Sequence, residues 1–151
     1  MVQLVLPSNA NALGAAFGGS VMGWIDICGA VCAQRHCRQI VVTASMDDLH
    51  FHAPIKVGWA VTLKARIIAT FNTSMEVGVT VHSEDALTGE RRLTTSALLT
   101  FVALDKDGNR LKVTPLEFEN EAERQAAEDA GARRTERLAR KSVGQRWQSL
   151  G

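Results

Sequence analysis

The sequence has almost no excess charge of either sign: 17 Lys+Arg stand against 16 Asp+Glu, a formal net charge of +1. A field that weak does not steer a polyanion, which argues against a general nucleic-acid binder. Cysteines are few, three in all, at positions 28, 32 and 37. Three cannot all pair within one chain, and the expectation is reduced thiols in a cytoplasmic protein. No basic stretch precedes the short apolar run Val2 to Leu6, so a secretory signal is not expected. Charge is missing altogether from the first 34 residues except at Asp26. The run from Ala12 to Ala33 is long enough to cross a bilayer, but it holds Asp26 and Gly14, Gly18, Gly19, Gly23 and Gly29. Lipid has few ways to accommodate that carboxylate, so no membrane span is expected and a helix packed inside a protein fits better. What the sequence does have is 46% hydrophobic residues in 151, enough for one domain with a real core.

The patterning predicts a helix from about Phe17 to Cys37. Each interior glycine lowers helix propensity by about 1 kcal/mol relative to alanine, so this helix needs tertiary support. Small residues suit a sheet wrapped closely round it. The period then changes. Trp59, Val61, Leu63, Ala65, Ile67, Ala69 and Phe71 alternate with Thr62, Lys64, Arg66 and Thr70, a long strand with one buried face. Gln39 to Met46 reads as a β-branched strand, Val77 to Val81 as another, and Arg91 to Leu104 as a fourth. Phe71–Ser74, Ser83–Glu90 and Asp105–Asn109 read as connections. A brief pairing of Leu111 to Val113 is expected before Pro115 ends the sheet. Beyond it, residues 116–151 hold seven acids and seven bases. The acids gather in Glu117 to Asp129 and the bases in Arg133 to Arg146, which matches a helix macrodipole. This segment is expected to be a solvated helix, with Gly131 as a possible bend.

Asp26 is the sharpest anomaly. A carboxylate in an apolar, glycine-rich helix must be paired, hydrogen-bonded or raised in pKa. It is either a buried structural hydrogen-bond acceptor or a general base or nucleophile in a dry cleft. Asn11 and Gly18-Gly19 stand just before the helix. Free N–H groups at a helix start suit an anionic oxygen, and Asn11 could add an amide donor. The plainer reading is a turn residue and packing glycines. His50 and His52 share a strand face, and Cys28 and Cys32 share a helix face, yet neither pair has the further ligands that a metal site needs. His36, between Arg35 and Arg38, reads as a surface residue. No Ser/His/Asp motif, P-loop or dinucleotide fingerprint is present.

Together these residues resemble the cytosolic acyl-CoA hydrolase family of hotdog-fold thioesterases. The matching segments are NANALGAAFGGSVMGWIDICGA (Asn9 to Ala30), VTASMDDLHFHAPIKVGWAV (Val42 to Val61), TSMEVGVTV (Thr73 to Val81), TGE (Thr88 to Glu90) and LLTFVALDKDGNRLKVTPL (Leu98 to Leu116). The family pattern of Asn, Gly and Gly-Gly falls on Asn11, Gly14, Gly18 and Gly19, with Phe17 as the bulky residue, and its catalytic Asp falls on Asp26. The resemblance implies an α+β hotdog fold, a long antiparallel sheet around a central helix, over residues 1–115. Residues 116–151 would be an added helical extension. It also implies acyl-CoA thioester hydrolysis, with no metal and no cofactor required and coenzyme A as product or bound ligand. Homodimers would form the active sites at their interface, Asn11 of one copy facing Asp26 of the other, and many members assemble as hexamers, trimers of dimers. Thr73, Ser74 and Arg91 are candidate contacts for coenzyme A. The alternative is a non-catalytic acyl-CoA or nucleotide sensor on the same fold. A hotdog dehydratase would need an Asp/His pair, and the Asp26 helix has no His before His36. Trp59 departs from the family, which usually has a small acidic or polar residue after Val-Gly.

Overall fold

The computed structural model describes residues 1–143. Five strands form one antiparallel sheet in the order β1-β3-β4-β5-β2: β1 (Val2–Leu4), β2 (Ile40–Phe51), β3 (Ala60–Thr70), β4 (Ser74–Glu84) and β5 (Arg91–Leu104). Helix α1 (Gly18–Cys37) packs on one face of the sheet, against β2 to β5. Helix α2 (Glu121–Val143) packs against β3.

The predicted helix and four strands are present. Two strands run further than their sequence patterns suggested. β2 extends to Phe51 because two register shifts, at Thr43/Ser45 and Asp47/His50, break its alternation. Asp48, at the second, has φ 47°, a left-handed conformation inside a strand. β4 begins at Ser74 and ends at Glu84, so the connection after it starts at Asp85 rather than Ser83. Leu111 and Val113 make single backbone bonds to Ala103 and Asn72 without forming a strand. In the Asp105–Asn109 turn, the Asp105 carboxylate accepts the backbone N–H groups of Asp107 and Asn109.

The core is the inner face of β3 to β5 closed by α1: Leu63, Met75, Val77, Val79, Leu99 and Phe101 meet Val21, Ile25, Cys28 and Ala33. Gly29 shows why this helix tolerates glycine. A Cβ there would lie 3.0 Å from Phe101 Cε2 and 3.1 Å from Cζ. Phe101 is fully buried and has nowhere to retreat. The helix therefore gives up propensity for a closer seat on the sheet. It is not wrapped on every side. Met22, Ile27 and Val31 are 37%, 56% and 40% exposed, and Ile27 and Val31, one turn apart, share a side of the helix turned away from the sheet.

The charged C-terminal helix is not a solvated tail. Its own Ala130 is fully buried, and Glu76, 2% exposed on the outer side of β4, receives two hydrogen bonds from Arg133, at 2.6 and 3.3 Å. The Glu76 hydrogen bond holds the Arg133 guanidinium above its ordinary pKa. Arg66–Glu123 and Arg137–Asp47 add further links between helix and sheet. Composition concealed this because charge normally signals exposure; here opposite charges meet across the contact. Gly131 does not interrupt the helix. Residues 144–151, with Arg146 of the basic half, lie outside the described residues. Trp59 is buried just before β3, with Lys56 Nζ 5.3 Å and the Arg92 guanidinium 5.2 Å from its ring centre.

Two stability predictions follow from these contacts. Gly29→Val should lower unfolding free energy by about 1–3 kcal/mol in urea titration, through overpacking against Phe101. Arg133→Met strands the buried Glu76 carboxylate and should cost about 3–5 kcal/mol. Adding Glu76→Gln to that variant should recover part of the loss, because the uncompensated charge is then gone.

Candidate active site

Asn11 sits in a tight loop ahead of α1. Its side-chain oxygen accepts the backbone N–H groups of Leu13 (2.9 Å) and Ala15 (3.2 Å), while its own N–H donates to Ala15 O and its carbonyl accepts Gly14 N–H. Gly14 closes the turn with φ +71°, a value that side chains rarely adopt. The turn role is thus real, and it has a chemical consequence. With the oxygen engaged twice, the Asn11 amide presents its Nδ2–H groups outward as donors. Ala16 N–H to Ile55 O (2.7 Å) and Phe17 N–H to Asn9 O (2.6 Å) fasten the loop to its surroundings.

Gly18 opens α1, where the first N–H groups have no partner within the helix. Asn11 and Gly18 line one hollow of about 360 Å³, with Phe51, His52, Pro54 and Ile55 around it. An added Cβ on Gly18 would make ordinary contact with Phe51 Cζ at 3.5 Å, so that ring lies over the first turn of the helix. Gly19 follows in the first turn, beside the Phe17 ring. The hollow collects hydrogen-bond donors and contains no carboxylate.

Asp26 lies elsewhere. From Gly18 to Asp26 the helix climbs about 12 Å. The carboxylate is half-buried rather than deep in the core, and its Oδ1 accepts a 2.5 Å hydrogen bond from Thr43 Oγ1 on β2. This bond satisfies the requirement that its apolar helix imposes. Thr43 was not marked out in the sequence, where it is one β-branched residue among several in a strand pattern. Only the docking of α1 against β2 puts it beside Asp26. Thr43 and Phe51 occupy opposite ends of β2, pairing with Phe101 and Thr95 respectively. One chain therefore separates the acid from the donor hollow.

Thr73 and Ser74 lie at the tight turn into β4, and Phe71 N–H donates to Ser74 O. Arg91 pairs with Glu84 at the far end of the same two strands, about 30 Å from Ser74 along β4. The structure does not bring these three candidates together within a chain. His50 and His52 stack with ring centres 6.2 Å apart, and His52 Nε2 lies 2.9 Å from Ser96 Oγ. No group of three His, Cys, Asp or Glu side chains among the described residues is placed to hold a metal ion. Cys28, Cys32 and Cys37 are free thiols; burial pushes the Cys28 and Cys32 thiols above their ordinary pKa. His36 is held by the Thr114 carbonyl at 2.7 Å, and burial beside Arg91 and Lys64 lowers the His82 pKa. No described helix is long and apolar enough to cross a membrane.

Residues 13–90 match the family model described as the thioesterase superfamily. An acyl-CoA thioester hydrolase of Bacillus subtilis is 40% identical over 93% of this chain and 82% of its own length. A human cytosolic acyl coenzyme A thioester hydrolase is 34% identical over 88% of this chain. There the chain spans only 36% of the relative's length. A hexameric acyl-CoA thioesterase superposes with a TM-score of 0.88 at 43% identity, covering 95% of this chain and 92% of that one. The acyl-CoA hydrolase of Staphylococcus aureus, solved with butyryl coenzyme A and coenzyme A, superposes at 0.87 with 31% identity, covering 99% and 92%. The chain belongs to the thioesterase superfamily, and its sheet around a central helix is the hotdog fold.

Proposed function

We propose that this protein hydrolyses the thioester of acyl-CoA to a free acid and coenzyme A, at sites built from two copies of the chain. The observation that carries this reading is the division of the site into halves. Asn11 and Gly18 share a donor-lined hollow without an acid, while Thr43 holds Asp26 at the opposite end of β2. β2 is an edge strand with no neighbour on its outer side, and Ile40, Val42 and Phe51 are 52%, 44% and 52% exposed. Such an edge favours pairing with another strand. A twofold join of β2 to a second β2 would run antiparallel, placing the Thr43 end of one copy beside the Phe51 end of its partner. That arrangement brings Asp26 to the hollow of the other copy and covers apolar surface. It also sets Thr73 and Ser74 of one copy at the same end as Arg91 of the other, where they are candidate contacts for coenzyme A.

In this mechanism the thioester oxygen lies against Asn11 Nδ2–H and the backbone N–H of Gly18 or Gly19, which are aimed at the charge that develops there. The Thr43 hydroxyl fixes one oxygen of the Asp26 carboxylate and leaves the other to act. Asp26 either takes a proton from water as it attacks, or attacks itself to form an anhydride that water opens. On both routes water supplies the hydroxyl of the acid and the proton of the thiol. No metal or redox group takes part. In solved structures of the Staphylococcus aureus enzyme an asparagine, an aspartate and a threonine have each been replaced by alanine. The intervals between those positions equal those between Asn11, Asp26 and Thr43. The reading takes residues 1–115 as the catalytic unit, 116–151 as an appended element, a trimer of dimers as the assembly and the cytoplasm as the location. Hexameric relatives favour that assembly.

A thiol-release assay over acyl-CoAs of different chain length tests hydrolysis against the sensor alternative, which would bind the ester and release nothing. Asp26→Asn should abolish turnover while coenzyme A still binds; near-normal release would remove Asp26 from the mechanism. Asn11→Ala should lower turnover by about 10²–10³. Unfolding and refolding those two variants together should restore about a quarter of wild-type activity, because half of the random dimers are mixed and each has one intact site. No recovery would place both residues within one chain's site.

A further inference from the structure

The proposed chemistry uses α1, β2 and the Asn11 loop and leaves α2 without a task. Where the basic half of α2 passes the start of β4, a hollow of about 500 Å³ opens between helix and sheet. That is within the range of about 300–1,000 Å³ typical of small-molecule sites. Five arginines line it. Three already answer carboxylates: Arg133 with Glu76, Arg137 with Asp47 and Arg140 with Glu136. Arg110 and Arg134 line the same hollow with no carboxylate partner among the described residues. The remaining acid of the lining is Asp48, whose charge acts on Arg133.

The two uncommitted guanidinium groups are not loose in the same way. Arg134 lies over the Phe71 ring at 5.1 Å, which holds its plane while its N–H edge stays available. Phe71 begins the turn that carries Thr73 and Ser74, and both residues line the hollow. Arg110 reaches it from the segment after β5, bridged to Leu104; Thr73 O accepts the N–H of Ala103 on the same side. Beneath them Thr100, 4% exposed, has a hydroxyl with no hydrogen-bond partner. Two arginines without a carboxylate partner and two hydroxyl-bearing residues lining one space suit a tetrahedral anion, because a guanidinium offers paired donors to phosphate oxygens.

We propose that this hollow binds a phosphate-bearing anion, with Arg110 and Arg134 as the charged contacts and Thr73 and Ser74 as hydroxyl donors. The phosphate belongs either to the nucleotide end of coenzyme A, which rests on the function proposed above, or to a separate phosphate ligand. In both cases α2 forms one wall, so occupancy also ties that helix to the sheet.

The test is calorimetric titration of the full-length protein with coenzyme A, dephospho-coenzyme A and inorganic pyrophosphate. The double variant Arg110→Gln, Arg134→Gln should bind at least one of them about tenfold or more weakly than the wild type. Arg124→Gln, the loss of one guanidinium beside Phe118 on the helix that carries Arg134, should bind as the wild type does. A raised KM for acyl-CoA with kcat retained identifies the substrate's phosphates, and a coenzyme A loss that dephospho-coenzyme A does not share selects its 3′-phosphate. Weakened pyrophosphate binding with KM unchanged identifies a separate ligand. Equal affinities of wild type and double variant for all three compounds would overturn the proposal, provided circular dichroism shows α2 intact. The Asp26→Asn thiol-release result does not involve α2, so hydrolysis and the anion site stand or fall separately.

Discussion

The close seat of α1 on the sheet is the constraint from which the rest of the structure follows. Gly29 lets the helix approach until the Phe101 ring occupies the space where a side chain would be. At that distance Asp26 reaches Thr43 on β2, and the first turn, at Gly18, opens beneath Phe51 beside the Asn11 loop. A helix held further out by a methyl group would loosen both contacts at once. The glycines that weaken the helix in isolation are, at this position, what allows the chemistry to be placed.

The second organising fact is an unfinished edge. β2 closes the sheet on one side with exposed Ile40 and Val42, and α1 turns Ile27 and Val31 outward. Apolar surface next to an unpaired strand is a liability for a lone chain and an advantage for a twofold assembly. In the proposed twofold assembly, the acid and the donors held at opposite ends of β2 would be brought together. Antiparallel pairing reverses the strand, so groups separated within one copy meet across two. In that assembly the anomaly of Asp26 becomes an economy, since one hydrogen bond orients it and the partner supplies the remaining half of the site.

The outer face of the sheet follows a different rule. There Glu76, Arg66 and Asp47 meet Arg133, Glu123 and Arg137 of α2, so attachment relies on matched charge as much as on apolar packing. A buried ion pair adds little net stability over a hydrophobic contact, but it punishes misplacement severely. The pair thereby fixes where α2 lies. That placement in turn brings Arg134 over Phe71 at the Thr73–Ser74 turn, where Arg110 arrives from the segment after β5.

Much of this was legible in the sequence. Alternation in Val61 to Ala69 and Val77 to Val81 marked strands, the uncharged run with Asp26 marked the inner helix, and the spaced motifs from Asn9 to Leu116 marked the family. These are local features, set by side-chain period and by the demands of one carboxylate among apolar neighbours. The bulges of β2 were not legible, because an extra residue in a strand changes pairing without changing composition. Nor were the bond from Thr43 to Asp26 and the burial of Glu76 under α2. Each depends on the strand order β1-β3-β4-β5-β2 and on where two helices cross it. The sequence by itself determined which residues are candidates for the chemistry and which elements bear them. Tertiary structure alone decided which of them meet, because contact across a sheet is set by register and docking distance, and neither is a property of a residue's neighbours along the chain.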